Sequence, residues 1–340
     1  MAAESAPGTA HLAPDLIFIG LACLGFLLIV ALLSLVSGTP FVAPTESVSP
    51  AIGMNCMVPL AVTIAGYAAA QIVYQRLGGG GRGRTARLRE LAIDGYLIGL
   101  FVVIMFGHFH LKMWMPIINP ALFDANYLTV DDALHFLISG AGWIRRAVIV
   151  VLPGADSWYQ AGLLAMFALS FWFHAVGKRQ WYYHNMTAIL LLEMVGPLTY
   201  LVAPAVGPFV FEQGPSAIAT AAQATMHAGF LQAQAGGGAW LAQHGGDYFT
   251  APPAAMPSLH VAVAWVMTYY AIKARSAVSP IMVLLLGWIT VESVVLRWHY
   301  LVDLPAGLLL AGAVIVVTNR VCRHRLEAPA VRLSASAQGR

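Results

Sequence analysis

Residues 16–36 read Leu16-Ile-Phe-Ile-Gly-Leu-Ala-Cys-Leu-Gly-Phe-Leu-Leu-Ile-Val-Ala-Leu-Leu-Ser-Leu-Val36, without one charged side chain. At about 1.5 Å of rise per residue, a helix of this length matches the roughly 30 Å hydrocarbon core of a bilayer. The run follows a stretch with no Lys or Arg, exceeds the apolar core of a secretory leader, and no small-residue cleavage site clearly ends it. It is therefore expected to remain as a membrane helix.

The rest of the 340-residue chain agrees with that reading. Hydrophobic residues make up 59% and charged residues only 10%, with a mean hydropathy of +0.74, which does not suit a water-soluble globule of this length. Seven further runs have span character, approximately Gly53 to Tyr74, Leu91 to Phe109, Tyr159 to Val176, Thr187 to Val206, Leu259 to Ile272, Ile281 to Leu296 and Tyr300 to Asn319. None alternates as membrane β-strands do, so the expected class is all-α, a polytopic bundle of about eight spans. With the N-terminus in the cytoplasm, the outer face receives only Lys112, Arg145, Arg146 and Arg297 of the 18 basic residues, as the positive-inside tendency requires. The net charge of +3 is accounted for by these topological clusters, and nothing supports a nucleic-acid partner. Cys23, Cys56 and Cys322 are scattered and no Cys/His pair has zinc-site spacing, so neither disulfide, metal nor cofactor is expected.

The expected organisation is residues 1–110 as N-terminal transmembrane helices, 111–158 as an extracytoplasmic interfacial segment, 159–320 as the catalytic membrane domain and 321–340 as a cytoplasmic basic tail. In the interfacial segment, Thr129 is a candidate helix cap with Asp131 and Asp132 in the first turn, and Arg145 and Arg146 argue against a ninth span. A second long outer loop, about Gly207 to Pro257, contains an Ala- and Gln-rich helical stretch, Ser216 to Ala235, interrupted by Gly236-Gly-Gly. Gly78 to Gly81 reads as a cytoplasmic linker, since it lacks the Lys-Ser/Thr ending of a nucleotide loop.

Two blocks carry chemistry: Ala255-Met-Pro-Ser-Leu-His260 before the sixth span, and Leu296-Arg-Trp-His-Tyr-Leu-Val-Asp303 opening the eighth. The topology brings both to the outer membrane boundary. His299 and Asp303, four apart, share a helix face, so the carboxylate can take the proton of one ring nitrogen and leave the other as a nucleophile. Ser258 can cap the helix that begins there, with first-turn N–H groups directed at an anion. His260 is placed to protonate a leaving alkoxide, and the guanidinium of Arg297 suits phosphoryl oxygens. Alone, each residue reads as an interfacial anchor; their convergence favours a phosphoryl-transfer site.

These residues resemble the type 2 phosphatidic acid phosphatase (PAP2) superfamily, particularly its branch related to inositol phosphorylceramide synthases. Over roughly residues 160 to 320, Pro257-Ser258-Leu259-His260 matches a Pro-Ser-x-His block, and His299 with Asp303 matches a His-x-x-x-Asp block. The resemblance implies a six-helix core, here preceded by extra helices. It also implies a phosphohistidine formed on His299 with Asp303 in support, metal independence, and His260 as the group that protonates the leaving oxygen and then activates water or an alcohol. The family's Lys-to-Arg-Pro block is missing; Tyr200-Leu-Val-Ala-Pro-Ala-Val-Gly-Pro208 resembles the synthase branch instead and places Tyr200 among the phosphate contacts. Ser293 stands where the family has an arginine, six residues before the later histidine, while Arg297 lies two before it.

His108, His110 and Lys112 follow the third expected span on the outer face and are candidate phosphate contacts. Glu193 and Glu292 fall within expected spans, where an acid either binds a headgroup or makes a helix-to-helix hydrogen bond. His174, His184 and His324 fall on the cytoplasmic side, as does the formal glycosylation triplet Asn185-Met-Thr187.

The function expected is that of a metal-independent lipid phosphatase or phosphotransferase, with a lipid phosphate or phospholipid as substrate and water, or an alcohol such as a ceramide, another lipid or a glycan hydroxyl, as acceptor. The expected location is a bacterial plasma membrane, with the site on its extracytoplasmic side. The competing readings are a lipid-phosphate carrier or scramblase without turnover, and a structural subunit with an inactive site.

Overall fold

The computed structural model describes residues 14–45, 49, 55, 57–76 and 84–323. Among them are eleven α-helices and no strand: α1 (Pro14–Ser37), α2 (Met57–Arg76), α3 (Arg84–Ile118), α4 (Asp124–Ala133), α5 (His135–Val151), α6 (Trp158–Gly177), α7 (Arg179–Tyr200), α8 (Ala217–His244), α9 (Leu259–Lys273), α10 (Ser279–Val295) and α11 (Asp303–Val321). The fold is all-α, as the apolar runs require.

Each of the eight expected runs falls on a helix. By length and composition α1, α3 and α11 are long and apolar enough to cross a membrane, and the pair α4–α5, bent by 77°, qualifies if taken as one broken span. Apolar segments of α2 and α10 are shorter. Leu21, Leu24, Leu28, Leu32 and Leu35 of α1 lie exposed at helical spacing, a face that lipid rather than water covers.

The core is built around α7 and α9. From Tyr182 to Met194 every residue of α7 is buried, and most of α9 is buried between α6, α7, α10 and α11. Away from the two sequence blocks, Arg179 of α7 binds Asp94 of α3 through two nitrogens at 3.0 and 2.7 Å, and Tyr67 of α2 donates to the same carboxylate at 2.5 Å. Three helices are thereby tied through one buried carboxylate, which is satisfied by paired and hydrogen-bonded donors.

Several boundaries differ from expectation. The third helix runs on to Ile118, so His110 and Lys112 lie within it, with His108, rather than beyond it. Thr129 does not cap α4: the helix starts at Asp124, and the Thr129 hydroxyl donates to the Asn126 carbonyl at 2.7 Å. Ser216 does cap α8, accepting from the Ala219 N–H, and the glycine run produces a break at Gly237, where φ is 56°. Arg145 is buried, and its Nε donates to Glu292 Oε1 at 2.8 Å, joining α5 to α10. A buried partner removes the objection that its charge raised to a helix inside the bundle. Cys56, the Gly78–Gly81 linker and the basic residues after Arg323 lie outside the described residues.

Candidate active site

The site forms where the loop before α9 meets the loop between α10 and α11. Ser258 Oγ accepts the Val261 N–H at the start of α9, while the Ser258 N–H donates to the Asp303 carbonyl at 3.0 Å. The two helix N-termini are thus joined directly. Gly307 makes the approach possible: a Cβ there would collide with the Ser258 carbonyl oxygen. The Ala255 N–H donates to the Ala205 carbonyl at 2.9 Å, bringing the segment after α7 into the same assembly. The Met256–Pro257 peptide is cis.

α10 ends on the Ser293 carbonyl, which accepts the Trp298 N–H at 3.1 Å and the His299 N–H at 3.0 Å. Its hydroxyl is turned to the Thr290 carbonyl at 2.8 Å. Arg297 follows with φ at 60°, a left-handed conformation that reverses the chain and delivers His299 beneath the α9 entrance.

His299 Nδ1 lies 2.8 Å from the Ala255 carbonyl oxygen and 3.3 Å from Asp303 Oδ2. Both neighbours are acceptors, so Nδ1 carries a proton, and in the neutral ring the lone pair is then on Nε2. Asp303 Oδ2 also accepts the Tyr300 N–H at 2.8 Å, while its Oδ1 is buried without a partner among the described residues. The position of Asp303 at the first residue of α11 offsets part of that cost through the helix dipole.

His260 meets the His299 ring edge to face, centroids 5.9 Å apart, and lies tilted by 35° against Tyr159 at 5.1 Å. It makes no hydrogen bond among the described residues, so its ring nitrogens are available to a ligand. Tyr200 ends α7 with its ring 6.4 Å from that of His108, within electrostatic reach of Glu193 and Asp303.

The remaining expected phosphate contacts are placed differently. Arg297 is buried, with Nη1 3.3 Å from Asp131 Oδ2 and Nη2 2.8 Å from Glu212 Oε2, leaving only Nε without a partner. Its guanidinium is held mainly by carboxylates. His110 has both ring nitrogens occupied: Nδ1 against the Phe106 carbonyl at 2.7 Å and Nε2 accepting the Val42 N–H at 3.0 Å. That leaves it no nitrogen for a ligand. Lys112 makes no hydrogen bond or ion pair among the described residues and lies within electrostatic reach of Glu193 and His260.

α4 contributes residues that were not singled out for the site. Asp124 accepts the N–H groups of Val206 and Gly207 at about 3 Å and the Tyr300 hydroxyl at 2.8 Å. Asp131, seven residues on and so on the same helix face, accepts the Leu301 N–H at 2.8 Å. Two carboxylates at that spacing on an amphipathic helix were the available signal, but their partners lie over 80 residues away.

The protein is thus an all-helical membrane bundle that gathers two histidines and an aspartate at adjoining helix entrances. A family model described as the PAP2 superfamily matches residues 128–317, more than half of the chain, and the chain belongs to that superfamily. Membership points to phosphatase-type activity on phosphoesters and to a lipid or phosphate-ester substrate. No curated protein and no solved structure matches it.

Proposed function

We propose that this chain is a membrane phosphatase or phosphotransferase that cleaves a lipid phosphoester through a covalent intermediate on His299. The observation that carries the reading is the double acceptor at His299 Nδ1, which fixes the tautomer with the nucleophilic lone pair on Nε2.

In the proposed reaction, Nε2 attacks phosphorus as the bond to the leaving oxygen breaks, and His260 gives its proton to that oxygen. The His299 ring becomes cationic on phosphorylation, and Asp303 balances the charge from the Nδ1 side. His260, now neutral, removes a proton from an incoming hydroxyl. The new oxygen–phosphorus bond forms, the nitrogen–phosphorus bond breaks, and His299 returns to its starting state. Ser258 and the first-turn N–H groups of α9 offer donors to the phosphoryl oxygens, with Lys112, Tyr200 and the free Nε of Arg297 in supporting positions.

Water as the acceptor makes the enzyme a phosphatase; an alcohol such as a ceramide, another lipid or a glycan hydroxyl makes it a phosphotransferase. The resemblance of Tyr200 to Pro208 to the inositol phosphorylceramide synthase branch favours transfer. The distribution of basic residues favours a site on the extracytoplasmic face, and the Ala- and Arg-rich composition favours a bacterial plasma membrane.

The test is turnover of a panel of lipid phosphates and phosphoinositides by the purified chain in nanodiscs, without added metal, with and without acceptor alcohols. Phosphate release or an acceptor-dependent phosphorylated product, abolished in His299→Ala, is expected. Activity that survives the substitution would sink the histidine mechanism, and lipid movement without turnover would favour a carrier.

A further inference from the structure

α3 places His108 and Lys112 four residues apart, one turn along the same face. Opposite them on α7 stands Glu193. His108 Nδ1 is 3.0 Å from Glu193 Oε2 and 3.3 Å from the Glu193 carbonyl oxygen. Both are acceptors, so Nδ1 carries a proton, and in the neutral ring the lone pair is on Nε2, the same arrangement that Ala255 and Asp303 give His299.

His108 is only 5% exposed, yet its Nε2 has no partner among the described residues. Lys112 also lacks one. Gly196, three residues beyond Glu193 on α7, is packed against Leu259, the neighbour of His260, which sets the cluster beside the reaction centre. Neither the His108 Nε2 nor the Lys112 ammonium is among the buried atoms that lack a partner, so both open onto accessible space where a ligand can meet them together.

The chemistry of that ligand follows from the pair. A hydroxyl group donates its proton to Nε2 and accepts from the lysine ammonium with its oxygen. A phosphoryl oxygen satisfies only the lysine and meets the imidazole lone pair. The ammonium has three donors, so one bond to a hydroxyl leaves others for phosphoryl oxygens.

We infer that the His108–Glu193 pair, with Lys112, forms a subsite for a second hydroxyl on the alcohol side of the phosphoester, so that the reaction selects polyol over simple alcohol groups. The inference rests on the phosphoryl-transfer reading above. His108 here binds and orients; the proton transfer stays with His260.

The experiment compares glycerol 1-phosphate with propyl phosphate as donors, and glycerol with 1-propanol as acceptors, using the full chain in nanodiscs. The wild type is expected to favour the glycerol compound by at least about tenfold in kcat/KM or in product partition, since a site built to bind a hydroxyl discriminates against its absence. His108→Phe is expected to bring that ratio close to one, and Glu193→Gln to reduce it partly, because glutamine still accepts from Nδ1. Where His108→Phe does not fold, His108→Leu carries the same test. A wild type without preference in either arm overturns the subsite. So does a preference that the variants keep, including variants in which both rates fall equally. Failure of the parent reading looks different: the wild type then processes neither these donors nor any lipid phosphate, whereas turnover of a lipid phosphate with no activity on either soluble donor and no preference between the acceptors overturns the subsite alone.

Discussion

The Leu301 N–H donates to Asp131 Oδ1 at 2.8 Å, joining residues 170 positions apart. With Arg297 on the other oxygen of Asp131, and Tyr300 bound to Asp124, α4 grips both flanks of the loop that carries His299. Asp124→Ala strips the acceptor from Val206, Gly207 and Tyr300 together and is expected to cost about 3 kcal/mol of stability. Tyr300→Phe removes one of those bonds and is expected to cost about 1 kcal/mol, with a several-fold fall in kcat. Thermal unfolding in detergent, set beside turnover, separates the two; equal effects would show that α4 does not act through these bonds.

Asp303→Asn tests the tautomer. An asparagine amide can present a donor to His299 Nδ1, which favours the tautomer with the proton on Nε2 and removes the nucleophile. Loss of about 10²- to 10⁴-fold in kcat is expected, with the fold retained. An Asp303→Asn protein that turns over at the wild-type rate would remove Asp303 from the proposed mechanism.

Arg145 and Glu292 make a buried pair between α5 and α10. Arg145→Ala removes the ion-pair partner of a buried carboxylate and is expected to destabilise by about 3–5 kcal/mol, whereas the double change Arg145→Met with Glu292→Leu recovers most of that loss. Unfolding midpoints of the three proteins provide the check. A double variant as unstable as Arg145→Ala would mean the pair contributes more than a compensated charge.

Gly307→Val places a branched side chain against the Ser258 carbonyl, where the α9 and α11 entrances meet. Overpacking of this kind costs about 1–3 kcal/mol, and here it also moves the Asp303 end of α11 from its contact with Ser258. Activity is therefore expected to fall more than stability alone accounts for. A variant that loses stability but keeps its kcat would show that the two entrances can part without harm.

The sequence made the fold class legible because uncharged runs of helical length have few alternatives in a bilayer, and each expected run lies on a helix. It also brought His260, His299 and Asp303 together, since two consecutive helices return the chain to one end of the bundle. Contacts across long separations were not legible. His108 and Glu193 were each noticeable as polar groups in apolar runs, but their pairing depends on how α3 packs against α7. The carboxylate partners of Arg297 lie on α4 and on the loop after Gly207, and the left-handed turn at Arg297 has no signature in residue type. His110 stood as a candidate phosphate contact because of its neighbours, while its packing against Phe41 and Phe249 and its bond to Val42 come from chain segments far away in sequence.

The central claim concerns a bond between phosphorus and His299 Nε2, and it can be sought directly. The purified chain is mixed with a lipid phosphate donor labelled in the phosphoryl group, quenched in alkali within one turnover, digested and mapped by mass spectrometry. The account predicts acid-labile, alkali-stable label on the peptide containing His299, absent from His299→Ala. Turnover without labelled enzyme, or label that persists in His299→Ala, would contradict it.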